Sequence, residues 1–187
     1  MSLIFSLSKI SGTLPGKGEK GGEVDYTIVM VTTVHRVGVT GHRTLLQKYS
    51  EVYNSTKQLL KQIVDEHSRV EVNTGMAIGF DQLVCEVCLE LNIPYVAAVP
   101  CERQEALWPE AQKKRYAELL LLADRVVLVN PGPYEAWKMH ARNGWIVQNS
   151  DEMVVHWDGF YQGGTGNCMK LVRSKKLTFK NTAVILP

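Results

Sequence analysis

The sequence predicts an α/β fold of three layers, a mainly parallel sheet flanked by helices on both faces. Strand-like and helix-like segments alternate strictly, at least five times, between Arg36 and Lys175, the pattern of repeated βαβ units. Ile93–Val99 and Arg125–Val129 are almost continuously apolar, as suits strands covered on both faces. Glycine-rich turns fall where strands hand over to helices, at Thr40–Arg43, Thr74–Gly79 and Asp158–Gly166. Right-handed crossovers bring the carboxyl ends of parallel strands to one edge, so these turns face one crevice. The arrangement is Rossmann-like.

The elements follow in order. Ser11–Glu23 holds five glycines, a proline and several charges, a composition that cannot bury a core. Residues 1–29 are therefore expected to be an N-terminal extension or mobile arm, and residues 30–187 a single domain. Thr27–Val34 is apolar and β-branched, either an extra edge strand or a lead-in to the first core strand, Arg36–Val39. Ser50–His67 repeats Val52, Tyr53, Thr56, Leu59, Leu60, Ile63 and Val64 at three- and four-residue steps. Charges fall opposite, which makes an amphipathic helix. Arg69–Asn73 is a short strand, and Phe80–Leu91 a helix burying Leu83, Val84, Val87, Cys88 and Leu91. Pro109 suits a first helical turn, where its missing N–H loses nothing, and that helix runs to about Ala123. Asn130-Pro131-Gly132-Pro133 closes the Arg125–Val129 strand. Tyr134–Asn149 reads as a helix with Gly144 a candidate break, and Glu152–Trp157 as a strand. Asp158–Asn167 reads as a loop, Asn167–Lys175 as the start of a helix, and Leu177–Pro187 as a final strand.

The 187 residues are 45% hydrophobic, enough for a sizeable core. A formal net charge of +2 gives no argument for nucleic acid or a membrane surface. No apolar run approaches the ~20 residues of a membrane span, and Met1–Ile10 is too short and weakly charged for a secretory signal. Cys85, Cys88, Cys101 and Cys168 are scattered and read as reduced thiols of a cytoplasmic protein. Cys85 and Cys88 have metal-like spacing but share the apolar face of a helix, with no second pair or nearby histidine. No metal or cofactor is expected.

Two stretches carry chemistry. In Thr40-Gly41-His42-Arg43, Gly41 permits a tight turn and close ligand approach. Arg43 offers a planar fork of donors for phosphate or carboxylate, and a ligand contact suits His42 better than catalysis. In Asp158–Asn167, the glycines Gly163, Gly164 and Gly166 expose backbone N–H groups before a helix, an anion cradle, and Thr165 adds a hydroxyl. It is no Walker loop, because no Gly-Lys-Ser/Thr follows, and Met169 breaks a Gly-x-Gly-x-x-Gly pattern. Asp81 has two compatible readings, helix cap or acceptor for a ribose hydroxyl. Lys113-Lys114-Arg115 reads as a solvated helix face, with Arg115 the one that could reach a phosphate. Trp108 and Tyr134 are candidates to stack on a base; His140 and His156 read as structural.

Val39-Thr40-Gly41-His42-Arg43, the Gly75–Asp81 segment with its Gly-Phe-Asp, Asn130-Pro131, Ala141-Arg142-Asn143, Ser150-Asp151, Trp157-Asp158-Gly159 and Gly163-Gly164-Thr165 occur in this order. Together they resemble the SLOG superfamily, its YpsA-like branch above all, over roughly Val34 to Lys175. The resemblance implies a Rossmann-like fold that binds nucleotide-derived ligands such as ADP-ribose-like signals. It places Gly41, His42 and Arg43 at a first ligand turn, Gly75, Gly79 and Asp81 at a second, and Gly163–Gly166 at a phosphate loop. Asn130, Arg142, Asp158 and Asn167 border the same crevice. Relatives include lysine-decarboxylase-like phosphoribohydrolases and the DNA-processing protein DprA. The phosphoribohydrolase pattern Pro-Gly-Gly-x-Gly-Thr-x-x-Glu is broken here. Gln162 replaces the proline, Thr165 and Gly166 are swapped, and Asn167-Cys168-Met169-Lys170 supplies no carboxylate for acid/base work.

The expected function is capture of a nucleotide-derived small molecule, ADP-ribose-like or of cyclic-nucleotide type, by a sensor or sequestering protein that forms a homodimer. A nucleotide N-glycosidase or phosphoribohydrolase, with Asp81, Asp158 and His42 as acid/base candidates, is the alternative. A DprA-like single-stranded DNA binder is the second alternative, opposed by the near-neutral charge.

Overall fold

The computed structural model describes residues 5–6, 29–30 and 33–183. The chain divides into two compact units, Met1–Thr33 and Val34–Pro187. In the first, β1 (Phe5–Ser6) and β2 (Val29–Met30) pair antiparallel. Part of the apolar Thr27–Val34 stretch thus joins a small ladder of its own. The rest of the expected arm lies outside the described residues.

The second unit runs β3 (His35–Gly41), α1 (Tyr49–Glu66), β4 (Val70–Thr74), α2 (Phe80–Leu91), β5 (Tyr95–Val99), α3 (Glu110–Leu121), β6 (Arg125–Leu128), α4 (Ala136–Gln148), β7 (Glu152–His156), α5 (Gly163–Ser174) and β8 (Thr178–Asn181). Its six-stranded sheet has the order β6-β5-β4-β3-β7-β8, and every neighbouring pair is parallel. The chain lays strands outward from β3 to β6, then returns past β3 for β7 and β8. The order therefore reverses between β3 and β7.

Period-two alternation along the strands divides the core between the two faces. Val37, Val39, Val72 and Val154 pack with α1, α2 and α3. Val155, Met153 and Ala98 pack with Ile146, Val147, Cys168 and Met169 of α4 and α5. α1 buries Val52, Thr56, Leu60 and Ile63, one stripe at helical spacing, and full burial of each such aliphatic chain contributes about 1.5–3 kcal/mol. All four cysteines are free and buried, and burial pushes the Cys85 and Cys88 thiols up.

Three elements differ from expectation. α5 begins at Gly163, not Asn167, so the glycines form its first turn rather than a loop. β6 is the sheet's edge and is not covered on both faces: Val126 is 49% and Leu128 41% exposed. Its companion α3 buries only Tyr116 and Leu119. The last strand is Thr178–Asn181, while residues 184–187 of the expected Leu177–Pro187 strand lie outside the described residues.

Candidate functional site

The crevice outside the carboxyl ends of β3 and β7 is the topological switch point, where open parallel sheets receive ligands. The loop after β3 is pinned on both sides. His42 N–H donates to His156 O at 3.2 Å, and Phe80 N–H donates to His42 O at 3.2 Å. Gly79 lets the loop lie this close: its φ is +91°, and a Cβ there would stand 2.2 Å from Arg43 O.

Buried His156 supports the loop from below. Leu46 N–H donates to its Nε2 at 3.1 Å. Its Nδ1 lies 2.9 Å from Thr182 Oγ1, a hydroxyl that donates to Val155 O, and Phe80 stacks on the ring with centroids 5.4 Å apart. A ring that accepts at Nε2 and donates at Nδ1 is neutral. Burial first, and then the nearby His42, pushes its pKa down to about 4.

His42 closes the crevice toward β7. Asp158 N–H donates to His42 Nε2 at 3.2 Å, and Asp158 Oδ1 lies 3.3 Å from the same nitrogen. Beyond Asp158 the chain enters α5 with Gly163 and Gly164 exposed and no atom within 4 Å of where either Cβ would be. Gln162 precedes this turn without a capping side chain. The first-turn amides therefore keep their donors for another acceptor. Asn143 Nδ2 donates to Gly164 O at 3.4 Å. Thr165 and Gly166 are buried beneath the turn, and Asn167 Oδ1 accepts from Lys170 Nζ at 3.3 Å.

A buried ion pair crosses the same edge. Arg142, on α4, reaches over the end of β4 to Asp81, on α2, with Nη1 and Oδ2 3.5 Å apart. Gly75 leaves the passage open, since a Cβ there would lie 1.2 Å from Arg142 Nη1. Ala77 N–H donates to Asp81 Oδ2 at 3.2 Å. Burial raises the Asp81 carboxyl above its ordinary value, against the pull of Arg142, the Ala77 and Gly75 amides and Arg43. Burial likewise disfavours the Arg142 charge, and Asp81 supports it. Arg142 Nε is buried without a hydrogen-bond partner. Arg43 is exposed, and its charge bears on both members of the pair.

The structure thus brings Gly41, His42, Arg43, Gly75, Gly79, Asp81, Arg142, Asp158, Gly163 and Gly164 to one stretch of the edge. Thr40 lies beneath, its hydroxyl facing the free Cys168 thiol. Asn130 stands apart, at the end of edge strand β6 on the far side of β5 and β4 from β3, with a buried Nδ2 that has no hydrogen-bond partner. Asp81 caps no helix; it ties its own loop to α4. Trp108 packs edge-on against Tyr116 at 5.4 Å, Tyr134 is exposed, and Arg115 pairs with Glu86. A groove of about 700 Å³ lies away from the switch point, beside β6, lined by residues including Val99, Tyr116, Leu120, Val126 and Leu128. Sequence reasoning missed the Asp81–Arg142 pairing, for which no local pattern exists.

The profile of the YspA SLOG family matches residues 38–184. The chain belongs to this SLOG family. It is 26% identical over 136 residues to the uncharacterized SPbeta prophage-derived protein YoqJ of Bacillus subtilis (strain 168), covering 64% of this chain and 78% of that one. It is 28% identical over 145 residues to a UPF0398 protein of Shouchella clausii (strain KSM-K16), covering 70% and 77%. Among solved structures, DNA processing protein A (DprA) from Streptococcus pneumoniae superposes with a TM-score of 0.62 at 16% identity, over 79% of this chain and 50% of that one. DprA from Helicobacter pylori, described for its single-stranded DNA binding mode, gives 0.57 at 17% identity, over 79% and 64%. The SLOG chain thus spans about half the length of the Streptococcus protein, and at these identities the likeness is one of fold.

Proposed function

We propose that this chain binds a nucleotide-derived small molecule, an ADP-ribose-like or cyclic-nucleotide-type signal, as a sensor or sequestering protein. The observation that carries the reading is the uncapped, exposed first turn of α5 at the β3–β7 switch point, with exposed Arg43 on the loop that leaves β3. Helix amides with their partial positive charge hold a phosphate, and Arg43 neutralises it. The His42–Asp158 pair offers hydrogen bonds to ribose hydroxyls. The partnerless Nε of Arg142 is the kind of buried donor that a bound anion satisfies. Binding without cleavage fits Asp81, whose carboxylate is already engaged by Arg142 and two amides. Pairing of two copies through the exposed β6 edge belongs to the same reading.

The test is thermal denaturation of the purified protein with a panel of adenine nucleotides and ADP-ribose compounds. A true ligand at 100 times its Kd stabilises by about 2.7 kcal/mol, and Arg43→Ala diminishes that gain. No stabilisation across the panel overturns the reading. Chromatography of the same mixtures detects released base or ribose phosphate if the His42–Asp158 pair instead works as acid and base.

The likeness of fold to the Helicobacter DprA, which is described for its single-stranded DNA binding mode, favours a second reading, single-stranded DNA binding. It requires retention on oligonucleotides that weakens steeply with salt.

A further inference from the structure

At the opposite edge of the sheet, where the strands begin, three groups from three elements converge. His35 opens β3, His67 follows the last turn of α1, and Glu152 opens β7. We propose that His35, His67 and Glu152 bind a divalent transition-metal ion of the zinc class, with a fourth position left to water or an added ligand.

The three donors already stand together. One ligand atom from each residue lies within 4.8 Å of the other two. Bonds of about 2.0–2.1 Å to a tetrahedral ion set ligand atoms roughly 3.4 Å apart, so closure draws the donor atoms together and swings one imidazole out of the stack until both lone pairs meet the ion. His35 Nε2 is already 2.8 Å from Glu152 Oε1. The two imidazoles stack with centroids 3.6 Å apart and planes 5° from parallel, which puts both rings beside one carboxylate. Two imidazoles and one carboxylate form a borderline donor set that suits Zn²⁺ and its neighbours.

The backbone beneath is fixed. β3 and β7 are hydrogen-bonded neighbours in the sheet, and His67 N–H donates to Ile63 O at 3.0 Å. An outer partner stands ready as well. Asp151 Oδ2 lies 3.9 Å from His35 Nδ1 and is held by Arg36 N–H at 2.8 Å. Without metal, His35 Nε2–H donates to Glu152. When metal takes the Nε2 lone pair, the ring proton moves to Nδ1, facing Asp151. This carboxylate–histidine–metal relay orients bound imidazoles in general. Lys180 Nζ lies 3.9 Å from Glu152 Oε2, so it neighbours the carboxylate oxygen that the rings leave free. The site is remote from the crevice, and its ion would clamp β3, α1 and β7 together.

The experiment titrates tag-free protein with Zn²⁺ by calorimetry and with Co²⁺ by visible absorption. Expected are one equivalent bound, the intense bands of tetrahedral Co²⁺, and at least about a tenfold loss of affinity in His35→Gln and in His67→Gln. Both histidines are only partly buried, so each variant is expected to fold, and the His67 variant leaves the β3 strand itself unchanged. His140→Gln, an exposed histidine on α4, leaves binding unchanged. Absence of saturable Zn²⁺ binding, or equal affinity in His67→Gln and the parent, overturns the proposal.

Discussion

His156 shows how one residue couples the site to pH. Its ring is fully buried, accepts from Leu46 N–H and lies against Phe80, so protonation would leave a buried charge facing an N–H donor. The folded pKa is about 4 against an ordinary 6.5. A lowered folded pKa means the unfolded chain takes the proton first. Stability is therefore complete above pH ~6.5, falls as pH drops from there to about 4, and levels off below. The full loss is up to about 3 kcal/mol. Thermal melts across this window should show the slope in the parent protein, and His156→Gln, which cannot titrate, should flatten it. The sequence reading leaves His156, which ends strand β7, as structural. It gave no hint of the Asp81–Arg142 pair, because the two residues stand on helices on opposite faces of the sheet and only the tertiary fold brings them over Gly75.

Among elements, α2 was legible to the residue: Gly79 punctuates its start and its apolar face is unbroken. The helix start at α5 was not legible, because glycine costs about 1 kcal/mol in a helix interior and three glycines read as loop. They are tolerated in a first turn, whose amides are unpaired in any case. Gly166 is required by packing, since a Cβ there would lie 2.4 Å from the backbone of Tyr161. Gly164 meets no such neighbour, so the protein's own packing does not explain it. Close approach of the proposed ligand would. Gly164→Ala should therefore leave the melting temperature unchanged or raise it, by up to about 1 kcal/mol of helix propensity, while weakening nucleotide-induced stabilisation. A variant that binds as well as the parent would detach the α5 turn from the ligand site.

At the scale of the whole molecule, β6 is the element whose burial the sequence overstated. An apolar run cannot reveal whether its strand lies inside a sheet or at its edge. Here it leaves Val126 and Leu128 on an open edge, where both line the groove beside α3. An uncovered apolar edge strand invites pairing with other chains. Two-fold pairing is the closed solution, because it matches β6 antiparallel to its own copy and leaves no further β6 edge exposed. The groove rim carries both signs, with Glu102 and Glu105 alongside Arg103 and Lys113, as a self-complementary surface requires. A stable pair needs roughly 1,200–2,000 Å² of total buried area, more than the four residues of β6 supply alone, so α3 and the groove must join the contact. Light scattering should give twice the 21.0 kDa chain mass, and replacing both Val126 and Leu128 with lysine should return it to one chain. Ligand-induced stabilisation should survive in that variant, because the switch point lies on the far side of β5 and β4 from this edge. A parent protein that stays monomeric at micromolar concentration would leave the β6 edge without its proposed cover.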